Sequence, residues 1–490
     1  MPAATFAAQC RDPRSGMDPE TGHPYLDVQG STLSQNNWLR SWSNDLYLWY
    51  DEITDRDPGL FTTPDYFDVL KTEELTPSGN PKDRFHFTYP TEEWNLLTQS
   101  GVSAGYGAEW SIVSTSEALQ IVVSYTNPDT PATTPPANLA RGATVLEVDG
   151  VDATSPPDSE SVDTLNAGLF PSEPGETHTF TIQDIGTTTS RVVTMRSELI
   201  TLTPVQHVKT IETPTGKVGY FLFTDHIATA EPALIEAIRE LKSAGITDLV
   251  VDLRYNGGGY LYVASQLAYM IAGPVPTAGQ TFEDVQFNDK HPVTNPVTGR
   301  ALQPFPFLSE AIGELVDRGT TLPSLDLARV FLLTGRNTCS ASESIINGLR
   351  GVDVDVIQIG TKTCGKPYGF YAADNCGTSY FSIQFKGVNA KGFGEYGDGF
   401  SPSDFTVAVG VAVPGCAVAE DFTKPLGDLT EGRLAAALGY RADRICPLPP
   451  GSLVSGSRKA TGVSTLPDPL SSTEGLLHRS PARENRLLDR

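Results

Sequence analysis

The sequence predicts a multidomain α/β protein, in which a small N-terminal helical domain and a β-rich domain precede an α/β core. Three observations predict it. The 490 residues are too many for one ordinary domain. From about Thr201 onward, apolar strand-like runs alternate with helical patterns, which implies a largely parallel sheet with its sites at the C-terminal ends of strands. Between about Gly101 and Thr201 the runs are short and β-like, and ahead of them lies an aromatic stripe at helical spacing. A hydrophobic content of 39% supplies material for cores, and 45 glycines with 37 prolines imply many turns and long loops.

Taken in order, the chain to about Gly30 is polar and turn-rich. Residues 34–49 read as an amphipathic helix with Trp38, Trp42, Leu46 and Trp49 on one core-facing side. Tyr66 to Leu70 reads as a second short helix, and Pro81 to Phe87 as a loop. Residues 1–98 are therefore assigned to an N-terminal helical region and 99–200 to the β-rich domain. In the latter, Gly105-Tyr106-Gly107 precedes a strand from Leu119 to Tyr125 and a proline-rich linker, Asn127 to Pro136. Then come Val145 to Val148, a hairpin turn at Asp149-Gly150 and a strand from Thr177 to Gln183. Residues 201–446 form the α/β core. Its strands are Lys217–Phe223, Thr247–Leu253, Val330–Leu333 and Val354–Ile359, and its helices include Glu231–Ser243 and one ending near Ala272. The tail, 447–490, carries Ser, Pro and Arg and reads as partly ordered.

With 59 acidic against 35 basic residues the formal charge is −24, which argues against a nucleic-acid partner and against electrostatic attraction to anionic lipid. No apolar run reaches membrane-spanning length. The opening Met1-Pro-Ala-Ala-Thr-Phe-Ala-Ala-Gln has no basic region followed by an apolar core, so it does not read as a complete signal peptide. The six cysteines lack zinc-site spacing. Their even number permits up to three disulfides, favoured because four of the six lie in glycine- or proline-rich loops. Seven scattered histidines with no close pair argue against metal chemistry, and no metal or organic cofactor is expected. Gly392-Phe-Gly394-Glu-Tyr-Gly397 matches the dinucleotide glycine pattern by letter, but no helix follows, so it reads as a loop or bulge; Asp398 and Asp404 read as solvated or capping.

Three segments converge on one chemistry. In Asp252-Leu-Arg-Tyr-Asn256-Gly257-Gly258-Gly259, three glycines directly after a buried strand let the backbone turn with N–H groups exposed, as an oxyanion hole requires. Ser340-Ala341-Ser342-Glu343 places a serine at a helix start, where backbone N–H groups are free to bind an anion. Gly365-Lys366 follows the next strand. Serine is a poor nucleophile until a base takes its proton, and a lysine is a base only when neutral. The locally uncharged surroundings of Lys366 (Cys364, Gly365, Pro367, Tyr368, Phe370) permit that. Alone, a Ser-Ala-Ser-Glu string is usually a capped helix start and a triple glycine a tight turn. It is their joint occurrence, in order and on strand ends, that favours catalysis.

These segments, with Gly360 through Lys366 and Gly399-Phe-Ser-Pro-Ser-Asp404, resemble the carboxyl-terminal processing (tail-specific) serine peptidases over roughly residues 100–440. The resemblance implies a crotonase/ClpP-like α/β core, Ser340 as nucleophile, Lys366 as base, and the N–H groups of Ala341 and Gly258 as oxyanion donors. It also implies a periplasmic, cell-envelope or secreted location. Arg141-Gly142 with Val145-Leu-Glu-Val-Asp-Gly150 resembles the interior of a PDZ domain. Gly105, Tyr106 and Gly107 would then bind the C-terminal carboxylate of a protein or peptide substrate. The sequence departs from the family where a glutamine that orients the lysine is expected four residues after it, since Phe370 stands there; Ser342 or a backbone carbonyl is left to do this. The interval from serine to lysine is also one residue longer, which the loop Gly351 to Asp355 absorbs. His226 is the second choice of base, otherwise a hydrogen-bonded strand-end histidine. The alternative from another class is a non-catalytic peptide- or ligand-binding protein on a peptidase-derived scaffold.

Overall fold

The computed structural model describes residues 1–19, 21–114, 119–156, 158–403 and 410–447. Asp404 and the tail from 448 onward lie outside the described residues. The first helix, α1 (Thr32–Leu46), starts because Ser31 caps it. The Ser31 hydroxyl accepts the Ser34 N–H and the Ser34 hydroxyl accepts the Ser31 N–H, both at 3.1 Å. The Trp38 and Trp42 rings stack with centres 5.5 Å apart. They bury against Tyr380 and against Phe67 of α2 (Thr63–Asp68).

Trp49 corrects the expected helix, which ends at Leu46. Tyr47 turns extended to bury a hydroxyl that donates to Asp83 at 2.7 Å and accepts the Thr72 N–H at 3.0 Å. Leu48 N–H leaves to bond Ile383 O at 2.8 Å. Trp49 instead meets Tyr368 edge-on, centres 4.8 Å apart. A strand pairing and a disulfide also join the N-terminal region to the later chain. Strand β1 (Phe87–Pro90) pairs antiparallel with residues 378–381, and a disulfide links Cys10 to Cys376.

The β-rich part follows as β2 (Val102–Gly105), β3 (Ala108–Ser114), β4 (Leu119–Thr126), β5 (Thr144–Val148), α3 (Ser159–Leu169), β6 (Thr177–Gln183), β7 (Ser190–Arg196) and β8 (Glu198–Thr201). Its main sheet runs β7-β6-β5-β4-β3, antiparallel throughout, and β2 pairs separately with β8. Alternate residues Ile121, Val123, Val145, Phe180 and Ile182 point into one core, closed by Leu165 and Leu169 of α3. Asp149 and Gly150 both hold positive φ (50° and 80°), the two-residue hairpin geometry that Asp-Gly favours. The stretch Asn127 to Pro136 is not a free linker. Asn127 N–H bonds Gly107 O at 2.7 Å and Ala132 N–H bonds Tyr106 O at 2.9 Å, folding it onto the Gly105–Gly107 loop.

The α/β part contains β9 (Val205–Thr213), β10 (Gly216–Phe223), α4 (Ala230–Ala244), β11 (Asp248–Asp252), α5 (Leu261–Ala272), β12 (Arg329–Thr334), α6 (Ala341–Gly351), β13 (Asp355–Gly360), β14 (Thr378–Phe381), β15 (Gly415–Ala417) and α7 (Gly432–Asp443). One sheet runs β9-β10-β11-β12-β13-β15, with β9 antiparallel and the rest parallel. Both faces are covered. Val330 and Leu332 of β12 face α4, α5 and α6, while Phe331 and Leu333 face Leu434, Ala436 and Ala437 of α7. This double burial is why the strands read as unbroken apolar runs. It also leaves strand ends as the place where polar groups collect, and β10, β11, β12 and β13 lead in turn to His226, Gly257–Gly259, Ser340 and Lys366.

Leu332→Ala, at a fully buried site in the central strand, is expected to lower the unfolding free energy by about 2–5 kcal/mol. Val192→Ala on the exposed side of β7 should change it by no more than about 0.5 kcal/mol. Denaturant unfolding monitored by tryptophan fluorescence measures both.

Candidate active site

Ser340 stands immediately before α6 with φ 59° and ψ −120°, a conformation rare for a residue with a side chain and costing about 1–3 kcal/mol. The surroundings hold it there. Cys339 N–H bonds Asn256 O at 3.1 Å, the Ser340 N–H donates to Glu343 Oε2 at 3.0 Å, and the Cys339–Cys364 disulfide anchors the preceding residue. Such an elbow aims a serine side chain away from both strand and helix. Ser340 and Lys366 are both 0% exposed.

The Lys366 segment is brought alongside by the same groups. Its backbone N–H donates to the same Glu343 Oε2 at 2.8 Å, while Gly365 N–H (2.9 Å) and the Thr363 hydroxyl (2.5 Å) donate to Oε1. Gly365 has φ 87°, and a Cβ there would stand 2.3 Å from Gly397 O, so only glycine lets the lysine strand end pack this closely. Lys366 Nζ lies 4.8 Å from the ring centres of both Phe85 and Phe370. Phe370, which replaces the expected polar helper, is thus a wall of the amine's pocket. Phe85 comes from the N-terminal region, whose Arg84 also donates to Cys364 O. Ser342 does not orient the lysine, because its hydroxyl donates to Asn256 O at 3.0 Å. Burial pushes the Glu343 carboxyl up, against the pull of its four donors.

The glycine turn lies against the serine. Gly258 has φ 108°, and a Cβ on it would stand 2.7 Å from Ser340 Cβ and 3.0 Å from Ala341 N. Ala341 opens α6, so its N–H is one of the helix's terminal donors. The Gly258 N–H is engaged by Asn256 Oδ1 at 2.9 Å, and the same oxygen faces His226 Nδ1 at 2.9 Å. His226 is fully buried beside the Phe223 ring, and its main chain pairs with the turn through Gly258 O and Tyr260 N. Asn256, Glu343 and Phe85 are the members that sequence reasoning missed as actors. Asn256 and Glu343 stood inside quoted motifs, where their polarity was the available signal; Phe85 gave none.

Deeper in, Arg254 is fully buried and neutralised by Asp252 (2.9 Å), Glu420 (2.9 Å) and Glu431 (2.7 Å), which fixes the strand-to-turn junction. Arg433, Arg254 and Arg141 hold the Glu420 carboxyl far below its usual range despite its burial. Asp398 is a correction: it is buried, not solvated, and accepts hydroxyls from Thr76 (2.9 Å) and Ser78. Cys339, Glu343 and Cys364 cluster as a metal site would, but the two sulfurs are bonded to each other and the carboxylate is filled with donors. All six cysteines pair, the third bridge being Cys416–Cys446. Gly105 ends β2, and Tyr106 and Gly107 connect it to β3. The Tyr106 ring turns into the β-rich core, edge-on to Phe180 with centres 5.6 Å apart.

Fold and cluster together define an α/β protein with an elbow serine and a buried lysine at neighbouring strand ends. The profile of peptidase family S41 matches residues 217–369, which contain all three chemical segments. A carboxyl-terminal-processing protease of Picosynechococcus sp. is 27% identical over 172 residues, 35% of this chain; the match spans 39% of that relative's length. Among solved structures, a Bacteroides fragilis protein assigned to the S41 proteases superposes with a TM-score of 0.58 at 22% identity, covering 83% of this chain and 97% of its own. It carries the likeness of fold well beyond the matched segment. The photosystem II D1 C-terminal processing protease gives a TM-score of 0.44 at 18% identity, covering 79% of this chain and 94% of its own.

Gly258→Ala should force the turn and Ser340 apart, since the added methyl meets Ser340 Cβ at 2.7 Å in a backbone conformation strained by about 1–3 kcal/mol for alanine. A drop in melting temperature, together with slower reaction of Ser340 with a fluorophosphonate, is the expected result.

Proposed function

We propose that the chain is a serine endopeptidase in which Ser340 is the nucleophile and Lys366 the general base. The observation that carries this is the junction of two strand ends. A strained, buried serine and a buried lysine sit on segments bonded together by Cys339–Cys364 and by one carboxylate. Lys366 takes the hydroxyl proton as Ser340 attacks the scissile carbonyl and returns it to the leaving amine. Removal of water from around the amine disfavours its charged form, the direction a lysine base requires, and the two ring faces offset part of this. Ala341 N–H and Gly258 N–H would hold the oxyanion, the latter by exchanging Asn256 Oδ1 for the developing charge.

The finer architecture belongs to the same proposal: a crotonase/ClpP-like core at 201–446, a PDZ-like domain at 99–200 and an N-terminal region at 1–98. β3 is the terminal strand of its sheet among the described residues and begins directly after Gly107, and Trp110 Nε1 ties it to Leu169 O at the end of α3. An extended peptide can add to that edge and place its terminal carboxylate at the main chain of Gly105, Tyr106 and Gly107. Substrates are accordingly proteins or peptides held by their C-termini. Three disulfides favour an oxidising compartment, so the proposed location is periplasmic, cell-envelope or secreted. Among the described residues, no helix is long and apolar enough to cross a membrane.

A fluorophosphonate probe is expected to label Ser340, with labelling lost in Ser340→Ala and in Lys366→Ala. Labelling that survives Lys366→Ala but not His226→Ala would transfer the base role to His226, which already touches the glycine turn. A well-folded chain that never labels would favour the peptide-binding alternative. The rate of peptide cleavage should rise with pH as the amine gives up its proton, because only the neutral amine is a base; a flat profile counts against Lys366. Peptides with a free C-terminal carboxylate should be cut faster than their amidated forms, and equal rates would remove the proposed role of Gly105 to Gly107.

A further inference from the structure

We infer that Glu343 is a positioning residue for the Ser340/Lys366 pair, its buried carboxyl group fixing both main chains at once; this rests on the Ser/Lys reading above. Glu343 is the third residue of α6 and is fully buried. Its two oxygens receive four donors. Ser340 N–H (3.0 Å) and Lys366 N–H (2.8 Å) share Oε2, while Gly365 N–H (2.9 Å) and the Thr363 hydroxyl (2.5 Å) share Oε1. The Thr363 hydroxyl oxygen also accepts the Phe400 N–H at 2.7 Å, which ties the Glu343 cluster to the segment that follows Gly399.

Three of the four partners are backbone N–H groups, which can only donate, and the carboxyl oxygens accept all three. Burial pushes the carboxyl's pKa up, while these donors and the Thr363 hydroxyl act in the opposite direction.

The disulfide and the carboxylate are not redundant. Cys339–Cys364 links the residue before Ser340 to the residue two before Lys366, which brings the segments together. Glu343 grips the two residues themselves, and it also supplies the reciprocal main-chain contact of the elbow, Glu343 N–H to Ser340 O at 2.7 Å. A serine held in an unfavourable φ/ψ region and a lysine on a separate strand end share one fixed oxygen, so a shift of the carboxylate alters the attack geometry without touching the proposed peptide site between β2 and β3.

Steady-state cleavage of a peptide substrate by the full chain tests this with Glu343→Gln and Glu343→Asp. Glutamine keeps the shape but turns an NH2 toward backbone N–H donors. It is expected to lower kcat roughly a hundredfold with KM within about twofold, and to slow fluorophosphonate labelling in parallel. Aspartate keeps both acceptor oxygens with a shorter reach and is expected to exceed glutamine in kcat by about tenfold. A Glu343→Gln kcat within about twofold of wild type, or equal losses in both variants, overturns the role. If Glu343→Gln does not fold, Thr363→Val is read in its place. Deleting one donor should lower kcat severalfold at unchanged KM, and a wild-type kcat there overturns the role as well. Activity lost in Ser340→Ala and Lys366→Ala but kept in Glu343→Gln sinks the Glu343 role alone. Activity that survives Ser340→Ala sinks the Ser/Lys reading and this one with it.

Discussion

Ser340 occupies a backbone conformation that a residue with a Cβ resists, and the site depends on that conformation being kept. A single strained residue relaxes unless its neighbours leave it nowhere to go. Here the neighbours come from two strand ends. The turn after β11 presses Gly258 against the serine, with no room for a methyl between them. Asn256 O holds Cys339 N–H and the Ser342 hydroxyl from below. The β13 end supplies Lys366 and, through Glu343 and the disulfide, is bound to the elbow. The strain is localised to one residue because every group around it is tied to the sheet.

The sheet in turn explains why these groups meet. Parallel strands buried on both faces have no solvated side on which to place polar residues. Polar chemistry is displaced to the strand ends, and parallel order puts successive ends beside one another. Where charge does enter the interior, as at Arg254, it is answered by three carboxylates, and the strand-to-glycine junction inherits their rigidity.

How much of this the sequence displays follows the range of the interactions involved. The core strands were legible because double burial writes an unbroken apolar run, and the strand-end positions of Gly258, Ser340 and Lys366 followed from them. Trp49 was misplaced because helical spacing continues past Leu46, while the force that ends the helix is the distant pairing of the Tyr47 hydroxyl with Asp83 and Thr72. Asn127 to Pro136 has a linker's composition, yet its main chain closes on Gly107 and Tyr106. Asp398 reads as solvated because its partners, Thr76 and Ser78, stand more than three hundred positions away. Six cysteines allow fifteen pairings. Only the nearness of Cys339 and Cys364 could be anticipated, since each flanks one of two converging strand ends. Glu343 looked like an ordinary helix-start acid because three of its four donors lie on another segment.

The N-terminal region bears on the site for the same long-range reason. The lysine amine is roofed by Phe85, Arg84 holds the carbonyl of Cys364, and Thr76 and Ser78 fasten to Asp398 in the loop that Gly365 packs against. Trp49 stands against Tyr368, and Cys10–Cys376 anchors the start of the region. The aromatic residues Phe85, Phe87 and Trp94 of this region also pack with Phe370 and Phe381 in one buried cluster. The enclosure of Ser340 and Lys366 is therefore built jointly by the sheet and by the N-terminal region, and a change in residues 76–94 reaches the site through packing as well as through hydrogen bonds.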